Sequence, residues 1–165
     1  MIKKFLLAAL IAVPAFGFAQ VKFGVVDSQA IFQDMPETKE AEAQLEASNN
    51  KIQEEYKLLE EEFEKLFKEF QALGEETPST IRERRQNDLT EKGQKIDQFR
   101  QNAMQDIQRQ QEQLLMPIQQ KLQNAIQAVG QENNFTMILD KNIPTYVGTD
   151  VVDATPLVRT KLGLK

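Results

Sequence analysis

Apolar residues recur every seven positions at Leu45, Ile52, Leu59, Leu66 and Leu73, and Tyr56, Phe63 and Phe70 fall four residues after Ile52, Leu59 and Leu66. Alternating steps of three and four place one apolar seam on a helix, so Thr38 to Leu73 predicts a helix ~54 Å long. Gly-Glu-Glu-Thr-Pro-Ser at 74–79 predicts a turn, with Gly74 suited to end a helix in the left-handed region and Pro78 to start the next. A returning helix follows from Thr80 to about Asn133, ~80 Å long. Its apolar period is different: Ile96, Ile107, Ile118 and Val129 lie eleven apart, with Ala103, Leu114 and Ala125 forming a second series between them. Eleven residues in three turns gives ~3.67 per turn, a straight or slightly right-handed stripe, so the helices are expected to run straight or splay near the base. Pro117 inside the returning helix removes one backbone hydrogen bond and predicts a bend.

A hairpin pivoting near residues 76 and 77 sets Leu66 opposite Leu89, Phe63 near Gly93, Tyr56 and Leu59 near Ile96, and Leu45 near Ile107. Gly93 lowers helix propensity by ~1 kcal/mol, a cost offset if Phe63 packs against its bare backbone. Before this arm, Val21 to Asp27 is β-branched and partly alternating and predicts a strand. Asp27 and Ser28 can cap a short helix from Ser28 to Met35, and Pro36 suits the first turn of the next helix. After the arm, Phe135 to Asp140 predicts a strong strand and Thr145–Gly148 and Asp150–Asp153 weaker extended pieces, with Thr155-Pro156 capping a helix from Leu157 to Leu162. The first strand has to pair with these C-terminal strands, because its backbone groups have no other partners.

The pattern describes an α+β chain, mostly α: a long antiparallel helical hairpin, or tentacle, over 37–133 with its tip at 74–79. It stands on a small β-rich body built from 20–36 and 134–165. Val21, Phe23, Val25, Phe135, Met137 and Leu139 are the candidates for that body and for self-association. So small a body buries too little to be secure alone, and cysteine is absent, so disulfides cannot staple it. Oligomerisation is the remaining device. Three copies with arms to one side would enclose a cavity.

Residues 1–19 have the form of a secretory signal: Lys3 and Lys4, an apolar run from Phe5 to Val13, and Gly17-Phe18-Ala19 before Gln20. Pro14 and Gly17 interrupt that run short of the ~20 residues a spanning helix needs. Without cysteine there is no thiol for lipoprotein acylation, so a soluble periplasmic protein is expected. Cleavage after Ala19 leaves 18 basic against 25 acidic residues, a balance that argues against nucleic-acid binding. Zero histidines and cysteines remove the usual metal ligands, the thiol nucleophile and the commonest general base. Asp27, Asp140, Asp150 and Asp153 lie near predicted strand ends, where they fit caps and turns better than a cation site. No cofactor and no enzymatic activity are expected.

Pro117-Ile-Gln-Gln-Lys-Leu-Gln-Asn-Ala-Ile-Gln-Ala-Val129, followed by Asn133-Asn-Phe-Thr-Met-Ile-Leu-Asp140, resembles the helix-to-strand junction of the Skp/OmpH family of periplasmic chaperones. The leader, the Val21–Asp27 strand running into Ser28-Gln-Ala-Ile-Phe32, and the order strand, helix, tip, helix, strands match along the whole mature chain. The resemblance implies a jellyfish-like homotrimer that holds unfolded outer-membrane proteins between three tentacles without ATP. The charge arrangement departs from the basic, best-known members: Pro36 to Glu76 carries 13 acidic against 5 basic residues.

Leu58, Phe67 and Leu115 fall off or beside the main stripes and are candidates for apolar client contact, and they equally fit a widened seam within the arm. Arg82, Arg84 and Arg85 form a basic cluster near the tip. They either meet anionic lipid or acidic clients or offset Glu75, Glu76 and Glu83 on a solvated face. The alternative function is a structural adaptor of the cell envelope that docks its hairpin tip into a partner.

Overall fold

The computed structural model describes residues 21–164. The candidate signal segment lies outside them. Strand β1 (Phe23–Val26) runs into helix α1 (Ser28–Asp34), whose N-terminus is capped by the Asp27 side chain accepting from the Ala30 N–H at 3.0 Å. Met35 is extended, as a residue before proline prefers, and Pro36 opens the first long helix, α2 (Pro36–Gln71). The second long helix, α3 (Ser79–Glu132), returns and continues through Pro117. Strands β2 (Met137–Asp140) and β3 (Val152–Asp153) and helix α4 (Thr155–Leu162) complete the described chain.

β1 is the central strand, parallel to both neighbours in the order β2-β1-β3, with Phe23 beside Met137, Val25 beside Leu139 and Gly24 beside Val152. Parallel pairing follows from the connections. The entire arm carries the chain from β1 back to the start of β2, and residues 141–151 cross over β1 to reach β3. Thr145–Gly148, expected as an extended strand piece, belongs to this irregular crossover; a segment lying over a sheet face has no ladder to join. Thr155 is the first residue of α4 rather than its cap: its hydroxyl accepts from the Asp27 N–H at 2.9 Å, while Asp153 accepts from the Thr155 N–H at 2.9 Å.

The core lies between one face of this sheet and the root of the arm. Val26, Ile31, Met35, Ala41, Ile118, Leu122, Ala125, Val129 and Val158 are buried there, supplied by both chain ends and by both long helices. Higher up, the seam residues Ile52, Tyr56, Leu59, Phe63 and Leu66 are only half-buried, since two helices cover one side of each stripe and no third layer is present among the described residues. At the base of α3, Asn134 adopts a left-handed φ of 53°, and the Phe135 N–H reaches the Gly130 carbonyl at 2.9 Å and the Asn134 N–H that of Gln131 at 3.4 Å. This C-terminal cap turns the chain into β2.

The tip differs from expectation. α2 ends at Gln71, and Gly74 has no positive φ. Its carbonyl instead accepts from the Thr77 N–H at 3.1 Å and from Arg82 Nη2 at 2.9 Å, so a side chain of the returning helix closes the turn in place of a left-handed glycine.

Candidate functional site

Three surfaces carry apolar groups that the fold leaves uncovered. The first is the outer face of the sheet. Alternation along a strand sends Phe23 and Val25 to the side opposite Gly24 and Val26, and their parallel partners Met137 and Leu139 share that side. Phe23, Met137 and Leu139 are exposed, as is Val21 just before the strand. The crossover lays Pro144, Tyr146 and Val147 over this face and leaves a cleft of about 140 Å³ between loop and strands. It does not seal the face: Tyr146 is 83% and Ile143 69% exposed.

Phe135 is separated from the other body candidates. Residing before β2, its ring lies over Gly24 on the inner side, where a Cβ on that glycine would come within 2.8 Å of the ring, and Lys22 Nζ sits 4.0 Å from the ring centroid. It packs against the core rather than on the outward face. The left-handed turn at Asn134 breaks strand alternation before it, a signal visible only as an Asn-Asn pair in the sequence.

The second surface is a groove of about 890 Å³ between α2 and α3 at mid-arm, floored by Ile52, Tyr56, Phe99, Ala103 and Ile107. The apolar stripes of the two helices have different periods, and their register drifts along the arm. Glu69 pairs with Arg85 near the tip and Glu37 with Lys121 near the root, so α3 spends 36 residues where α2 spends 32. Ile107 shares the groove with Asn49 and Ile52, one to two turns beyond Leu45, the facing position expected for it. Nearer the tip the register holds as expected: Phe63 faces Gly93, where a methyl group on the glycine Cα would lie 3.8 Å from the ring, and Glu62 pairs with Lys92. Sequence reasoning missed the groove. Its signal was the phase drift between a seven-residue and an eleven-residue repeat, with the small Ala103 on the groove floor.

The third surface is the exposed side of the arm. Leu58 is 60% exposed, and Phe67 is 43% exposed while stacking on Phe63 with ring centroids 6.4 Å apart. Leu115 is half-buried, partly packed against the core and partly in a shallow depression with Met116 and Gln119. The tip arginines do not act as one cluster: Arg82 holds the Gly74 carbonyl, Arg85 lies 3.5 Å from Glu69, and Arg84 is exposed to solvent.

Charged groups at the strand ends serve the fold. Asp27 pairs with Lys141, and that ammonium, with the Ala30 N–H, holds its carboxyl below the usual range. The Ser28 hydroxyl bonds to Asp140, and this bond, with the Asn142 N–H, lowers the Asp140 carboxyl likewise. Among the described residues no group of three or more acidic side chains is arranged to hold a metal ion, and no helix is long and apolar enough to cross a membrane.

The family model described as "Outer membrane protein (OmpH-like)" matches residues 22–162, which takes in the sheet, the whole arm and α4. The chain belongs to the OmpH-like family. The long hairpin on a small α+β body is the architecture expected of a member, and membership supports a periplasmic chaperone of outer-membrane proteins as the kind of function. No curated protein matches the chain significantly.

Proposed function

We propose that this OmpH-like protein is an ATP-independent holdase of the periplasm: a homotrimer whose three arms enclose unfolded outer-membrane proteins and keep them from aggregating. The observation that carries this reading is the combination of an apolar sheet face at the body, only partly covered by the crossover, with an arm that builds no closed pocket of its own. Phe23, Val25, Met137 and Leu139 form one side of a sheet that has a core on its other side only. Contiguous apolar surface of this kind on a small body calls for another protein surface, and copies of the same chain supply one that matches. Gathering three bodies through this face points the arms together and makes the space between them the client compartment.

Many weak contacts suit such a carrier, since a client held in one tight pocket is released slowly. The arm has that character, with half-buried seam residues, scattered exposed side chains such as Leu58 and Met116, and neutral glutamines along α3. The residues preceding Val21 fit a cleaved export signal, which accounts for periplasmic delivery. Two of the three tip arginines hold the tip itself, so contact with anionic lipid rests on Arg84 and is no part of the holding step.

Dilution of a urea-unfolded outer-membrane barrel protein into buffer with the mature chain tests the reading. Light scattering is expected to stay low and the client to co-elute with the chaperone. Full aggregation despite an excess of the protein contradicts holding and favours an adaptor, whose activity would vanish with substitutions at 74–79.

A further inference from the structure

Given the holding role proposed above, we infer that the mid-arm groove between α2 and α3 seats a single extended segment of the client, a membrane strand of an unfolded outer-membrane barrel, with alternate side chains buried on the groove floor.

Charge is the first argument. α2 carries 11 acidic against 5 basic residues, yet the groove lining contains one charged group, Arg100, which lies 3.5 Å from Asp97. The rim is amide: Asn49 and Gln53 from one helix, Gln108 and Gln111 from the other. Side-chain amides both donate and accept, so they match the N–H and C=O groups of an extended backbone whatever its sequence. An uncharged segment is thus accommodated where the acidic surroundings disfavour acidic ones.

Length is the second. Phe99 to Gln111 covers ~18 Å of helix axis, and Gln111 also lines a shallow depression on α3 that continues to Gln119 past Leu115 and Met116, with Glu112 as its one charged group. The joined track is ~30 Å long. A fully extended chain fills it with about nine residues at ~3.3 Å each, close to the roughly 9–11 residues of a transmembrane β-strand. Such strands alternate apolar and polar side chains, so one face of the segment presents an apolar row to Ile52, Phe99 and Ile107 while the other stays in water. Met104, 70% exposed beside the groove, and Met116 further along bring flexible, polarisable side chains that adapt to different rows.

The test places a photo-crosslinking amino acid in the full mature chain at Met104, Gln108 or Leu115, and at the outward-facing Gln98 and Gln105 as controls. Each variant is mixed with an unfolded outer-membrane barrel protein of known sequence. Client adducts are expected several-fold more often at the three track positions, mapping by mass spectrometry to membrane-strand segments. Ala103→Phe, which fills the groove floor, is expected to lower the Met104 yield several-fold at unchanged helix content. Equal yields at track and control positions, or adducts to a second copy of the chain or to client loops, overturn the inference. Light scattering in the same samples separates the two levels. Suppressed aggregation with flat crosslinking leaves the holdase standing and removes the groove, whereas aggregation of the client with the unmodified chain removes both.

Discussion

Gly93→Ala should stabilise the protein, and the structure fixes both the sign and the size. Glycine inside a helix costs ~1 kcal/mol relative to alanine. The exception is a glycine whose missing Cβ admits a neighbour, and Phe63 does lie against Gly93. A methyl group there would sit 3.8 Å from Phe63 Cε2, an ordinary van der Waals contact requiring no movement of the ring. The bare backbone is therefore occupied but not required. The variant should gain about 1 kcal/mol, raising Tm by roughly 2–4 °C for a chain of this size. Thermal unfolding at one fixed protein concentration measures the total effect, since the proposed self-association would make Tm concentration-dependent. Hydrogen exchange across residues 89–97 reads the arm itself, where slower exchange is expected. A lower Tm together with faster exchange at 89–97 would refute the reasoning, because it would mean that Phe63 packs more closely than the hairpin register allows.

Gly24→Ala should act in the opposite direction. Its Cβ would fall 2.8 and 3.0 Å from two atoms of the Phe135 ring, so a loss of about 1–3 kcal/mol is expected in chemical denaturation, reduced in the presence of Phe135→Ala. Acid should weaken the fold: Asp140, held low by the Ser28 hydroxyl, and Asp27, held low by Lys141, have folded pKa values below their unfolded ones. Their contribution is complete above about pH 4 and is lost as pH falls through the folded values, so Asp140→Asn should show a shallower fall in stability below about pH 4, and an unchanged slope would contradict the assignment. Met137→Glu combined with Leu139→Glu places charge on the outer sheet face and should abolish self-association at micromolar concentration while far-UV circular dichroism is retained; an unaltered mass would clear that face of the role. Rising salt should compact the empty protein in small-angle scattering by screening the acidic arms, and constant dimensions would count against electrostatic opening.

The arm was legible in the sequence because helix periodicity is local. Leu45 to Leu73 at seven-residue spacing defines the seam, and a pivot at the tip is enough to bring Phe63 to Gly93. The expectations that failed each depended on more than one element at once. Ile107 lies one to two turns from the position expected to face it because small differences in period accumulate along the arm, and the groove there is lined by both helices and is a property of neither alone. The tip was misjudged at Gly74 because an arginine eight residues later supplies the closure, a partner that turn propensities do not consider. Strand existence followed from β-branched runs, but parallel order and the outward face of Phe23 and Leu139 depend on how the crossover passes, which no local pattern encodes. Phe135 reads as strand by composition and is set inward by the left-handed Asn134 before it.

The central claim, that several copies gathered through the sheet face hold one client between their arms, is tested most directly by native mass spectrometry of the mature protein alone and after mixing with an unfolded outer-membrane barrel protein. The account predicts a mass of three chains alone and of three chains plus one client after mixing. A monomer in both samples, with the client found only in aggregates, would contradict it.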